Sequence, residues 1–181
     1  MREALRERLA KIRLLLLDVD GVLTDGRIYF ADNGMDSKAF YARDGHGIKL
    51  LLRSGIRVGL LTGRSSHLVE LRARDLGIDL VFQGAKEKLP VFRQILRDLD
   101  LRAEEVAYMG DDVVDLPVLM HAGVAAAVAD CSEEILTAVD FVSRYRGGRG
   151  AVREFCELLL KSTGRWEAIM ADYTHKGLEC L

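Results

Sequence analysis

Asp18 and Asp20 are separated by one residue and follow the apolar run Leu14-Leu15-Leu16-Leu17. On an extended chain, residues two apart point the same way, so both carboxylates face one site. Two adjacent carboxylates repel unless a cation lies between them or they share a proton. Such a pair suits a nucleophile and a general acid/base. Gly21 then lets the backbone turn sharply and approach an anion. The plainer reading is an Asp-rich turn. Thr62-Gly63-Arg64 offers a hydroxyl, a freed backbone N–H and a cation, a set that can hold a phosphate; otherwise it is a loop into a helix capped by Ser65 or Ser66. Lys88 opens a helical segment, where a cation opposes the helix dipole. An anion would explain it, as would two solvated lysines at 86 and 88. Gly110-Asp111-Asp112-Val113-Val114-Asp115 presents carboxylates suited to Mg²⁺, a hard ion that takes oxygen ligands. Its plainer reading is a helix cap with acid in the first turn.

These pieces gain specificity from the elements that precede them. Leu14 to Leu17, Arg57 to Leu61, Leu80 to Phe82 and Val106 to Met109 each read as a short buried strand. Val124 to Val128 and Phe141 to Ser143 continue the series. Helical stripes alternate with them: about Gly47 to Arg53, Ser65 to Leu76, Leu89 to Leu99, Leu116 to His121, a segment after Ser132, and Ala151 to Lys161. The order predicts an α/β fold, a parallel sheet with helices on both faces. Ligands bind such sheets beyond the carboxyl ends of the strands. The acid pair, hydroxyl, lysine and second acid each follow a successive strand, so they converge on one rim. Together they describe phosphoryl transfer to an aspartate.

A protruding β-hairpin is predicted at about 26–41. Gly26 to Phe30 and Lys38 to Tyr41 flank Ala31-Asp32-Asn33-Gly34, and Asn-Gly is a hairpin signal. Its apolar residues Ile28, Tyr29, Phe30, Phe40 and Tyr41 need a partner, because an isolated two-stranded hairpin is marginal. The Gly147–Gly150 segment with Arg149 reads either as a flexible loop reaching an adjacent site or as a simple lead-in to a helix. Residues from about 163 to 181 read as a short helix and a tail, within a single domain spanning 1–181.

The chain has 181 residues, with 26 bases against 28 acids and 49% apolar residues. Disorder is excluded by the apolar fraction. The charge balance gives no footprint for nucleic acid or anionic lipid. No apolar run approaches a membrane span, and the start, MREALRERLAKIR, is no secretory leader. Cys131, Cys156 and Cys180 are odd in number and lack zinc spacing. They read as reduced thiols of a cytoplasmic protein. His46, His67, His121 and His175 show no metal spacing and read as structural or surface residues.

Asp18-Val19-Asp20-Gly21-Val22-Leu23-Thr24-Asp25, Thr62-Gly63-Arg64, Lys88 and Gly110-Asp111-Asp112 resemble the haloacid dehalogenase-like phosphatase superfamily. Longer strings are similar to the 3-deoxy-D-manno-octulosonate 8-phosphate phosphatase family. They include Lys38-Ala39-Phe40, Arg43-Asp44-Gly45, Val106-Ala107-Tyr108 and Gly147-Gly148-Arg149-Gly150-Ala151-Val152-Arg153-Glu154. The resemblance implies a small Rossmann-like core without a large cap, working in lipopolysaccharide biosynthesis. It implies a homotetramer in which one subunit's hairpin covers a neighbour's site. It implies Asp18 as nucleophile, Asp20 as acid/base, and Thr62 and Lys88 on the phosphoryl group. Asp18, the Asp20 carbonyl and Asp111 would hold Mg²⁺. Tyr41, Ala42, Arg43, Asp44, Gly45, Lys49, Arg64 and Arg72 match segments that contact the sugar acid, as do Asp20 and Lys88.

Two positions bear on the substrate. Tyr41 stands where relatives often carry Asn. Arg64 agrees with the octulosonate type, whereas relatives acting on the nine-carbon nonulosonate 9-phosphate have glutamate there. Arg64 and Arg72 flank a helix start, and arginine can hold a carboxylate through two parallel N–H bonds. The alternatives are a phosphatase for the nine-carbon acid and a non-catalytic tetramerisation module. A phosphomutase would need a cap that the length does not allow.

Overall fold

The computed structural model describes residues 3–30 and 36–178. The predicted turn Ala31-Asp32-Asn33-Gly34 and Cys180 lie outside the described residues. Six strands form one parallel sheet: β1 (Leu14–Leu17), β4 (Arg57–Leu61), β5 (Leu80–Phe82), β6 (Val106–Gly110), β7 (Val124–Ala127) and β8 (Phe141–Val142). A separate antiparallel pair joins β2 (Tyr29–Phe30) to β3 (Asp36–Ser37). The sheet order is β5-β4-β1-β6-β7-β8, so the chain fills one edge from β1 outward, then crosses to the other. That reversal beside β1 opens a crevice at the strand ends.

The four leucines of β1 are fully buried because both faces of the sheet are covered. Leu15 and Leu17 pack into one core with α2 (Ala42–Arg53), α3 (His67–Leu76) and α6 (Ala151–Ser162). Leu14 and Leu16 face the other, with Phe92 and Ile95 of α4 (Lys88–Asp98) and Val118 and Leu119 of α5 (Leu116–Leu119). The segment after Ser132 is a 3₁₀ helix, Glu133–Ala138. Flanking helices α1 (Glu3–Ala10) and α7 (Trp166–Leu178) complete the described chain. The latter is longer than the short helix expected there, and Trp166 and Ile169 pack on the core.

The hairpin differs from expectation. Its second strand is Asp36–Ser37, not Lys38 to Tyr41, with Tyr29 opposite Ser37 and Phe30 opposite Asp36. Beyond Ser37 the chain leaves the ladder because the Lys38 amine pairs with Asp20 and Phe40 packs on the core. The next helix, α2, starts at Ala42 rather than about Gly47. Two glycines in its opening turns weaken helix propensity, and tertiary packing overrides it. Asp44 reaches α6, and bare Gly47 lets Arg153 and Cys156 lie close.

Gly147 and Gly148 are not a reaching loop. They are clamped between two loops: Gly148 N–H donates to the Val22 carbonyl in the turn after β1 at 2.9 Å, and Gly147 N–H to Asp130 Oδ1 in the loop after β7 at 2.9 Å. A Cβ at Gly147 would overlap the Gly21 carbonyl.

Candidate active site

The β1 ladder continues one residue past the strand, with Asp18 N–H donating to the Met109 carbonyl at 3.0 Å. This delivers the Asp18 carboxylate to the rim. The turn that follows is organised by Thr24, whose Oγ1 accepts from the N–H groups of Gly21 and Gly26. Gly21 adopts a φ of 94°, in the left-handed region, and a Cβ there would overlap the Asp111 carboxylate. Glycine therefore lets the loops after β1 and β6 close on each other.

Four loops meet in a cavity of about 210 Å³, lined among others by Asp18, Asp20, Thr62, Arg64, Lys88 and Asp111. Lys88 lies at its base. Its Nζ is 2.8 Å from Asp18 Oδ1, 2.6 Å from Asp115 Oδ1 and 3.2 Å from the Tyr108 hydroxyl, and the side chain is 3% exposed. Burial alone would lower the Lys88 pKa, but Asp18 and Asp115 outweigh it and raise it. The ammonium is thus fixed. Thr62 is buried, and its Oγ1 accepts the Arg64 N–H at 3.4 Å. Asp20 is gripped on both oxygens: Lys38 pairs with Oδ1, and Arg64 Nε lies 3.7 Å from Oδ2.

Acids outnumber what Lys88 can neutralise. Burial, opposed by Lys88, pushes the Asp18 carboxyl up to about 6. Burial, then the charges of Asp18, Asp115 and Asp112, push Asp111 up to about 8. Carboxylate oxygens of Asp18, Asp111 and Asp115 lie within 4.8 Å of one another. Asp115 is already engaged: besides Lys88, it accepts from the Tyr108 hydroxyl at 2.5 Å and the Asp111 N–H at 2.9 Å. The Asp111 carboxylate has no hydrogen-bond or ion-pair partner among the described residues. A half-buried, unpartnered acid beside a second acid fits a divalent cation held by oxygen ligands.

The remaining residues matched to sugar-acid contacts are not brought into this cavity. Tyr41 caps the start of α2, and with Arg43 it lines a separate cavity of about 320 Å³ shared with Arg144, Arg149 and Arg153. Ala42 is exposed. Asp44 is 1% exposed and spent on α6, accepting from Gly150 N–H at 3.2 Å and Arg153 N–H at 2.7 Å. Gly45 is packed against Arg72 and Leu76. Lys49 and Arg72 both pair with Asp75, at 3.8 and 2.7 Å, and Arg72 lies over the Phe40 ring. Of the expected recognition set, Asp20, Arg64 and Lys88 share the strand-end cavity and the rest lie apart.

Sequence reasoning missed Lys38, Tyr108 and the anchoring part of Asp115. Asp115 had a usable signal, since it stands four residues beyond Asp111 and closes its own loop. Lys38 had none beyond its place in a string that resembles relatives, because only the tertiary fold carries its amine to Asp20.

Residues 45–123 match the family model for haloacid dehalogenase-like hydrolases. The 3-deoxy-D-manno-octulosonate 8-phosphate phosphatase of Escherichia coli K12 is 50% identical over 154 residues, covering 85% of this chain and 82% of that protein. The crystal structure of the Yersinia pestis phosphatase of the same name superposes with a TM-score of 0.88 at 46% identity, covering 90% of this chain and 88% of that one. The Moraxella catarrhalis phosphatase, solved with magnesium, phosphate and the sugar acid, superposes with a TM-score of 0.93 at 37% identity, covering 96% and 99%. At 50% identity over 154 residues, spanning most of both lengths, this chain belongs to the 3-deoxy-D-manno-octulosonate 8-phosphate phosphatase family of haloacid dehalogenase-like hydrolases.

Proposed function

We propose that the chain is a Mg²⁺-dependent phosphatase that hydrolyses 3-deoxy-D-manno-octulosonate 8-phosphate to the free sugar acid and phosphate, within lipopolysaccharide biosynthesis in the cytoplasm. The observation that carries the chemistry is the buried Lys88 ammonium held between Asp18 and Asp115 at the base of the strand-end cavity. The names of relatives at 46 to 50% identity support the substrate.

Asp18 attacks phosphorus in line and becomes an aspartyl phosphate. A carboxyl pushed up to about 6 is mostly ionised at pH 7, so the nucleophile is available. Asp20 protonates the departing sugar oxygen, then takes a proton from the water that cleaves the acyl phosphate. Lys88 offsets charge on the transferring group, and Asp115 and Tyr108 keep it from swinging away. Thr62 and the freed backbone beside Gly63 hold phosphoryl oxygens. Asp18, Asp111 and the Asp20 carbonyl would hold Mg²⁺, which when bound offsets the repulsion between an anionic nucleophile and an anionic phosphate.

Tyr41, Ala42, Arg43, Lys49 and Arg72 are proposed to serve recognition from a second copy, in a homotetramer whose hairpin covers a neighbouring site, while Asp44 and Gly45 support them by holding α2 against α6 and α3. The exposed Ile28 and Tyr29 of that hairpin support an unmet partner. Lys49 and Arg72 would exchange Asp75 for the sugar carboxylate.

The test is phosphate release with Mg²⁺ from octulosonate 8-phosphate, nonulosonate 9-phosphate and 4-nitrophenyl phosphate. Strong preference for the eight-carbon acid is expected. Equal rates would keep the chemistry and withdraw the substrate. No release from any of the three would return the chain to a non-catalytic assembly module.

A further inference from the structure

Lys38 has no part in the chemistry derived above, yet its side chain is buried as completely as that of Lys88. Its side chain is 3% exposed, and its amine pairs with Asp20 Oδ1. No other acid pairs with it among the described residues. A buried ammonium must be paired, so Lys38 and Asp20 constrain each other. Arg64 approaches the other oxygen, Oδ2, at 3.7 Å and from a far more exposed position, its side chain 44% accessible. The short strand β3 ends at Ser37, so the residue gripping the acid is the first one beyond the hairpin.

We infer that Lys38 is a positioning residue for proton transfer: it holds Oδ1 of Asp20 so that Oδ2 faces the leaving oxygen and then the incoming water. The inference rests on the phosphatase reading. Lys38 keeps its protons throughout. The proton leaves Asp20 for the sugar oxygen as the P–O bond breaks, and returns to Asp20 from the water that forms the new P–O bond. The ion pair seen here matches the carboxylate that exists between those two transfers. Without Lys38, only the looser Arg64 contact remains and Asp20 turns toward it.

The leaving group separates this role from a merely structural one. An alkyl alcohol leaves poorly without a proton, whereas 4-nitrophenolate needs none. Lys38→Met is therefore expected to lower kcat/KM for octulosonate 8-phosphate on the order of 10²-fold, the scale of a misplaced group. The same variant should lower kcat/KM for 4-nitrophenyl phosphate less than about threefold, because general-acid help is not required there. In an Asp20→Asn background, single-turnover cleavage of the sugar-acid phosphate should be indifferent to Lys38→Met, since residues acting as a unit are not additive. Lys38→Arg keeps the cation and should restore the wild-type ratio between substrates, while Lys38→Gln should not. An equal loss on both substrates, an additive loss in the Asp20→Asn background, or Lys38→Gln matching Lys38→Arg would overturn the inference. If Lys38→Met gives no cooperative thermal transition, the Arg and Gln pair decides alone. A wild-type enzyme silent on both substrates would instead overturn the functional reading.

Discussion

The strand-end cavity and the arginine cavity beside α6 are built by the same chain with opposite imbalances of charge. At the strand ends, Asp111 is an acid with no cation partner among the described residues, and its carboxyl is pushed up to about 8 by burial and neighbouring acids. Beside α6, Arg144 and Arg153 are neutralised by Glu154 and Glu157, while Arg43 and Arg149 have no acidic partner among the described residues. The first region is short of a cation and the second of an anion. A single chain thus brings together the residues proposed for phosphoryl transfer, while most of those proposed for recognition sit elsewhere. Chemistry that must be rigid is made from strand ends within one core. In the proposed reading, recognition falls to helix faces and to a hairpin completed by another copy.

The sharpest break of this comparison is Asp18→Asn. It should abolish phosphate release from every substrate, by more than about 10⁴-fold, and leave the thermal transition cooperative. Wild-type turnover in that variant would move the nucleophile out of the strand-end cavity. Next comes Asp115→Asn, which leaves Lys88 paired only with Asp18. A weakened buried ion-pair network should cost about 3 kcal/mol of stability and lower kcat for sugar-acid and aryl phosphates alike by about 10²-fold. A stability loss with unchanged kcat would make the network structural only.

Arg72→Ala acts on the other region. It should raise KM for the sugar-acid phosphate by about 10- to 100-fold, the worth of a hydrogen bond to a charged group, and leave 4-nitrophenyl phosphate unchanged. A shared loss on both substrates would mean that Arg72 matters through Asp75 and Phe40 rather than through the ligand. Stability against pH probes the strand-end region without a substitution. The Asp18 and Asp111 carboxyls are raised in the folded protein, to about 6 and about 8, so the native state holds protons the unfolded chain has released. Stability of the metal-free protein should therefore fall as pH rises from about 4 through 8. Added Mg²⁺ should recover more thermal midpoint at pH 8.5 than at pH 5.5. A Mg²⁺ increment independent of pH would place the ion away from these acids.

The fold was legible wherever short apolar runs were bounded by turn residues. All six sheet strands lie where the pattern places them, because a strand buried on both faces must be continuously apolar, as Leu14–Leu17 is. The hairpin and the start of α2 were less legible. There the local signals, Asn33-Gly34 and the glycines at 45 and 47, compete with two tertiary demands: Lys38 must reach Asp20, and Asp44 must cap α6.

From residue types and order alone, the chain determines that Asp18, Thr62, Lys88 and Asp111 follow successive strands, and so that they share a rim. That follows because a parallel sheet points every strand's carboxyl end the same way. Only the tertiary structure decides which partner each charge takes. Lys88 goes to Asp18 and Asp115, Lys38 to Asp20, and Asp44 to the α6 N–H groups rather than to a ligand. The reason is that burial makes pairing compulsory, and spacing along a chain does not say which acid lies nearest in space.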